Sequence, residues 1–373
     1  MLEPVALAPP PEPEAPAPPL EPDRPTGGAT PAVATPSVET TRRLLGASFD
    51  LLTRTSDDMR PASFYIGLVT LGTVGPLAVA SFALEAVSIH QTRSEMARLL
   101  NGPLGGLIGL LGLVATMGLI VAAVESQAVA ASILGGRLSE RPVTVQAAVA
   151  RSRMVFWRVI VAGIIVAIPV AIAQAILDEI LLATLGPQAD VSFVSSTLVA
   201  GLVGAPLAYV LAGVVLGDVS PAEATRRSFR VFRARKLAAA LVAIFQTVAF
   251  LLVLLGLGAG LDLALRVFDA LGLGPDSGPA GLALVVIGIG IGVFALGTLI
   301  YTALAISMAP QMVMFVGLTR ATFGLDHVRP GGDHDPGALR PGRRPFRWLT
   351  RPLLGAFATG LIGLVLFVLV ALD

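Results

Sequence analysis

The sequence predicts an all-α fold: a polytopic transmembrane helix bundle with a six-span core, a seventh C-terminal span and cytoplasmic amphipathic interfacial helices. Three observations predict it. Hydrophobic residues form 54% of the chain and charged residues 14%, against roughly 25% charged in a soluble domain. Seven apolar runs, at 62–88, 104–124, 156–177, 193–216, 237–258, 279–302 and 353–372, reach the roughly 20 residues that a helix needs to cross the hydrocarbon core. Of 26 lysines and arginines, 23 lie before the first run, between alternate pairs of runs or, as Arg158, at the start of the run that follows; only Arg93, Arg98 and Arg266 fall on the other side. The positive-inside rule then places the N-terminus in the cytoplasm and the C-terminus outside.

Residues 1–36 are rich in Pro, Ala and Glu, as in Pro9-Pro10-Pro11-Glu12-Pro13-Glu14. Such a stretch cannot bury enough apolar surface to offset its ordering entropy, so a disordered cytoplasmic tail of polyproline character is expected. Its start, Met1-Leu2-Glu3-Pro4, lacks the basic residues and short apolar core of a secretory signal. The first span is therefore the expected insertion signal. In residues 37–61, Leu44, Leu45, Phe49, Leu51 and Leu52 are interspersed with Arg42, Arg43, Asp50 and Arg54. This patterning predicts an amphipathic helix on the membrane surface.

Residues 62–318 form the six-span core. The second span is expected to run past Glu125 to Gly135. Residues 279–318 are apolar for about 40 positions, too long for one crossing at about 1.5 Å per residue. Dividing them into two spans would carry the seven following arginines outside, so one helix continuing into the cytoplasmic interface is expected, bent at Pro310. Pro76, Pro169 and Pro206 predict kinks, which membrane helices accept when neighbours re-satisfy the backbone. Residues 319–351 read as an Arg/Gly/Pro-rich cytoplasmic loop and residues 352–373 as the seventh helix.

The core contains a repeat. Thr144, Ala148, Arg151-Ser152 and Val155-Phe156 recur at identical spacing as Ser220, Ala224, Arg227-Ser228 and Val231-Phe232. Each copy precedes a span on the basic side, and Ala47–Leu52 is a weaker third copy. Thr144 and Ser220 are good N-caps, and Pro221 suits the first helical turn. The Ala, Ser, Val and Phe positions share one helical face. Arg226, Arg230 and Arg233 project elsewhere, where they can meet lipid phosphates or carboxylates. Arg151, Ser152, Arg227, Ser228 and Arg230 are accordingly the candidate contacts to headgroups or a protein partner, the alternative being a plain anchoring helix.

The segment Ser220-Pro221-Ala222-Glu223-Ala224-Thr225-Arg226-Arg227-Ser228-Phe229 before a long apolar helix, with Phe315–Asp326 at the end of the sixth span, resembles the membrane domain of bacterial glycerophosphoryl diester phosphodiesterases and related uncharacterised six-span membrane families. Thr319, between Leu318 and Arg320, departs from that pattern, as do the seventh span and the proline-rich tail. The resemblance covers roughly residues 40–326. It implies a six-helix membrane core and nothing about catalysis, which in those enzymes belongs to a separate soluble barrel. Lys236 is the only lysine against 25 arginines, a bias that suggests a GC-rich bacterial genome, so a bacterial plasma membrane is expected.

Chemistry is sparsely supplied. The chain has no Cys and three His, and none of the predicted spans contains a His, so a thiolate or imidazole nucleophile, base or metal ligand is not expected within them. Ser195 and Ser196 have no such partner. The carboxylates Glu85, Glu125, Asp178, Glu179 and Asp262 remain. Glu125, near the cytoplasmic end of a span, is an intramembrane ion-pair candidate, with Arg151 or Arg227 as partner. Its role is structural or one of ion coupling. Gln174 and Gln246 read as interhelical hydrogen-bonding groups. Gly105/Gly109, Gly213/Gly217, Gly256/Gly260 and Gly288/Gly292 have the small-x-x-x-small spacing of close helix packing. No cofactor or metal and no nucleic acid is expected, since the arginines lack interleaved aromatics for base stacking. The expected function is non-enzymatic: an accessory, scaffold or lipid-associated membrane protein binding anionic headgroups or a cytoplasmic protein. The alternative is a permease-like subunit with cytoplasmic coupling helices.

Overall fold

The computed structural model describes residues 38–88, 101–185, 199, 201–272 and 278–331. The expected tail at 1–36, most of the loop at 319–351, the seventh helix at 352–373, and Ser195 and Ser196 lie outside these residues. Among the described residues, five long helices are apolar enough to cross a membrane, as a multi-pass membrane protein requires. They are α1 (Val38–Ser88), α2 (Pro103–Leu138), α3 (Val145–Leu185), α6 (Lys236–Ala270) and α7 (Gly278–Phe323). Between α3 and α6 lie a 3-10 turn at Ala205–Leu207, the short α4 (Val210–Val215) and α5 (Pro221–Ala234). No strand occurs among the described residues.

Two length predictions are met. α2 carries Glu125 about two-thirds of the way along and runs beyond Gly135. α7 is one helix of 46 residues that passes through Pro310. Pro76 and Pro169 also sit within uninterrupted helices. Pro206 does not: it lies in the 3-10 turn that divides the apolar stretch Gly201–Val215. A proline supplies no N–H and clashes with the preceding turn, and here the helix breaks instead of bending.

Both N-caps form. The hydroxyl of Ser220 accepts the Glu223 amide at 3.3 Å, and that of Thr144 accepts the Ala147 amide at 3.3 Å. The shared face is buried in both copies: Ala148, Ser152, Val155 and Phe156 in α3, Ala224 and Ser228 in α5. The copies differ in continuity. In the first, the amphipathic turns run straight on into the span, as do those of the 37–61 segment in α1. In the second, the backbone turns at Arg235 (φ −141°, ψ 60°), so α5 is a separate helix.

The densest core lies at the basic ends of the long helices, around Ala128–Leu134, Val155–Val159, Val210–Leu216 and Met308–Met314. Away from it, large apolar side chains face outward, such as Ile164, Ile168, Ile172, Ile176 and Ile180 along one stripe of α3. A soluble surface rarely carries so long a stripe; in a bilayer it is the lipid-facing side.

Candidate functional site

Two buried charge clusters flank the start of α3. Residues two apart on a helix point to nearly opposite sides, and Arg153 and Arg151 do so. Arg153 reaches Glu125, its Nε donating to Oε1 at 3.1 Å, while its Nη2 donates to the Tyr65 hydroxyl at 2.8 Å. Tyr65 donates to the other Glu125 oxygen at 2.8 Å, closing a triangle across α1, α2 and α3. Glu125 is 1% exposed. It is the ion-pair member that the sequence pointed to, but its partner is Arg153, not Arg151 or Arg227.

Arg151 turns the other way. It donates to the Val215 carbonyl at 2.9 Å and stands 3.7 Å from Asp218. Arg158, two turns along the same face, donates to Asp218 at 2.5 Å and to the Val219 carbonyl at 3.3 Å. Asp218 sits in the link between α4 and α5 with φ 48°, a left-handed conformation that Asp tolerates better than most residues. The chain after α7 returns to the same place. The Arg329 amide donates to the Leu216 carbonyl at 2.7 Å, and Gly331 (φ 101°) lies so close that an added Cβ would stand 3.1 Å from Arg151 Cβ. Arg141 pairs with Asp326 at 2.9 Å beside it.

The third element is Gly201–Val215, part of the expected fourth span, which is broken here by a 3-10 turn ahead of the short α4. Its freed backbone groups are met by side chains from two other helices. Ser228 of α5 donates to the Pro206 carbonyl at 2.6 Å and accepts the Tyr209 amide at 3.2 Å. Gln311 of α7 donates to the Ala208 carbonyl and accepts from Gln246 of α6 at 2.7 Å. Gln246 thus is the interhelical bonding group that its position predicted. Beside the break lies a cavity of about 440 Å³, walled mainly by apolar residues such as Ala162, Val166, Val170, Leu207 and Leu304. Its polar lining is Gln127, Gln246, Thr247, Ser307 and Gln311, with no ionisable side chain.

α5 shows two faces. Ala224 and Ser228 are buried against the broken span, and an added Cβ at Gly213 would stand 3.1 Å from Ala224 Cβ. Arg226, Phe229, Arg230 and Arg233 are exposed. Glu223 accepts from Arg227 at 3.0 Å and from Arg230 at 3.3 Å. The Arg227 hydrogen bond, aided by the nearby arginine charges, holds its carboxyl below the usual carboxylate range.

Of the five candidate contact residues, Arg151, Ser152 and Ser228 are therefore corrected: they are buried, and protein groups bond them. Arg227 and Arg230 remain within reach of a ligand. The glycine pattern is corrected in part. An added Cβ at Gly109, Gly256, Gly260 or Gly292 meets nothing within 4 Å, whereas Gly213 lies close against Ala224. Other close approaches fall outside the pattern: Gly118 against Thr73, and Gly297 against Thr70 and Gly67. Asp262 forms an exposed pair with Arg266 at 2.9 Å. Sequence reasoning passed over Tyr65, Arg158, Asp218 and Gln311. One signal was legible: Arg151 and Arg158 are seven apart and share a face, which calls for a buried acid. Compared with known protein families, curated proteins and solved structures, the chain shows no match.

Proposed function

We propose that this is a non-enzymatic integral protein of a bacterial plasma membrane with a lipid-associated, accessory role, in which α5 engages anionic headgroups on the cytoplasmic side. One observation carries the reading: α5 buries Ala224 and Ser228 inward while presenting Arg226, Arg230 and Arg233 around an exposed Phe229. An exposed aromatic among arginines, at the basic end of apolar helices, suits the boundary between headgroups and acyl chains. Each such arginine contributes about 1 kcal/mol of attraction to an anionic leaflet. The resemblance to phosphodiesterase membrane domains fits a protein that works beside lipid chemistry.

The test is lipid retention by the purified chain, read by native mass spectrometry with phosphatidylglycerol and phosphatidylcholine. Replacing Arg226, Arg230 and Arg233 by Gln should lower phosphatidylglycerol retention by about 100-fold, the equivalent of about 3 kcal/mol, and leave phosphatidylcholine unchanged. Equal phosphatidylglycerol retention by the triple variant would sink the reading.

The broken span favours a second reading, a permease-like subunit. Ser228 ties α5 to the break that borders the cavity, so force applied to α5 would reach a discontinuous helix of the sort transporters use. Solute flux in proteoliposomes that is abolished by Ser228→Ala, with headgroup retention intact, would favour it.

A further inference from the structure

We propose that the cavity beside the broken span is a binding site for an uncharged amphiphile: an apolar chain or ring that ends in a free hydroxyl. Its position sets the medium from which a ligand comes. The lining begins seven residues into α6, at Ala243, and ends nine residues before Arg320 in α7, at Gln311. At about 1.5 Å per residue these lie about 10–14 Å from the basic ends of their helices, well within a hydrocarbon core about 30 Å thick. Gly163 and Ala167 of the lining are themselves exposed on α3, on the helix that carries the outward isoleucine stripe.

The lining then sets the ligand's chemistry. Apolar walls accept hydrocarbon. With no ionisable group among the lining residues, a carboxylate, phosphate or ammonium would enter without a counter-charge, at a cost far above what uncharged side chains offset. What the site offers is unused neutral hydrogen-bonding capacity. The Gln127 amide has no hydrogen-bond partner among the described residues. The Gln246 amide donates to Gln311, which leaves its oxygen as an acceptor. The Ser307 hydroxyl donates to the Leu304 carbonyl and keeps its lone pairs. A hydroxyl both donates and accepts, so it can bond the Gln127 amide in either direction or donate to the Gln246 oxygen, whereas a ketone or ether can only accept. About 440 Å³ lies within the size range of small-molecule sites. The site uses none of the α5 arginines, so it stands or falls apart from the headgroup reading.

The experiment is photolabelling of the full purified chain with a diazirine-bearing long-chain fatty alcohol, mapped by peptide mass spectrometry. The fatty acid and the trimethylammonium amphiphile of the same chain length are the charged controls. Alcohol labels are expected on Ala162, Val166 and Val170 and on Leu304, Met308 and Gln311, at least ten-fold above either charged probe. Gly163 has open space around an added Cβ, so Gly163→Leu should narrow the cavity, lower labelling at least ten-fold and leave the thermal midpoint in place. Ala167→Leu serves as the second such variant if the first fails to fold. Labels confined to Ile164, Ile168 and Ile172 and unchanged by both variants would overturn the proposal. So would equal labelling of the cavity by the fatty acid.

Discussion

Ser228 donates to the carbonyl of Pro206 at 2.6 Å, across the gap between α5 and the broken span. Its repeat counterpart Ser152 instead donates to Val149, three residues back on its own helix. The same residue at the same repeat position therefore does two jobs. One closes a local turn; the other bonds the Pro206 carbonyl and the Tyr209 amide where the helix is interrupted.

Ser228→Ala should destabilise the protein by about 1–3 kcal/mol, because the Pro206 carbonyl and Tyr209 amide lose their partner. Ser152→Ala should cost less than about 1 kcal/mol, since the Val149 carbonyl belongs to a helix ladder. Thermal unfolding in detergent checks the pair, and faster hydrogen exchange at Tyr209 in Ser228→Ala alone locates the effect. Equal losses for both variants would contradict the clasp.

Glu125 and Arg153 should behave as one unit. Glu125→Leu and Arg153→Met each leave a buried charge without its partner and should cost about 3–5 kcal/mol. The double variant should cost clearly less than the sum of the two. A double-mutant cycle by denaturant titration measures this; strict additivity would mean that the pair is not coupled.

Asp218 raises a different question, because its φ of 48° and its carboxylate both matter. Asp218→Gly removes the backbone strain at this left-handed position, but it strands Arg151 and Arg158. A loss of about 3–5 kcal/mol is expected despite the better backbone fit. Stability equal to the native chain would show that conformation, not charge, selects Asp218.

The Glu223 pairing predicts a pH effect on lipid retention. Its carboxyl is held below the usual range, so the pairs with Arg227 and Arg230 are intact at neutral pH and through the ordinary carboxylate range. They are lost only as pH falls through the depressed value. Below that point both arginines are released, and phosphatidylglycerol retention should rise. Glu223→Gln should show the higher retention already at neutral pH and no further increase on acidification. Native mass spectrometry across a pH series decides the matter, and identical profiles for the two chains would refute it.

The long apolar helices α1, α2, α3, α6 and α7, the single helix through Pro310, the N-caps at Thr144 and Ser220, and the buried Ala–Ser–Val–Phe face of α3 were legible in the sequence. The fourth apolar run, 193–216, is not the one helix expected of it, since its described part is broken by a 3-10 turn ahead of the short α4. Each legible feature depends on spacing within one helix, and helical periodicity is a local property. Glu125 was legible as a buried acid for a similar reason: a carboxylate inside an apolar run needs a partner.

The identity of that partner was not legible. Arg151 and Arg153 stand two residues apart with the same charge, and only the packing of α1 and α2 on one side and the α4–α5 link on the other decides which acid each one meets. The glycines show the same division. Gly109 and Gly292 have the spacing of packing glycines but face open space, while Gly118 fits against Thr73. A sequence displays a small residue, but not whether another helix lies across it. At Pro206 the sequence marked a disturbed helix. Tertiary structure made it a break, because Ser228 and Gln311 were in place to bond the groups that a broken helix leaves exposed in an apolar medium.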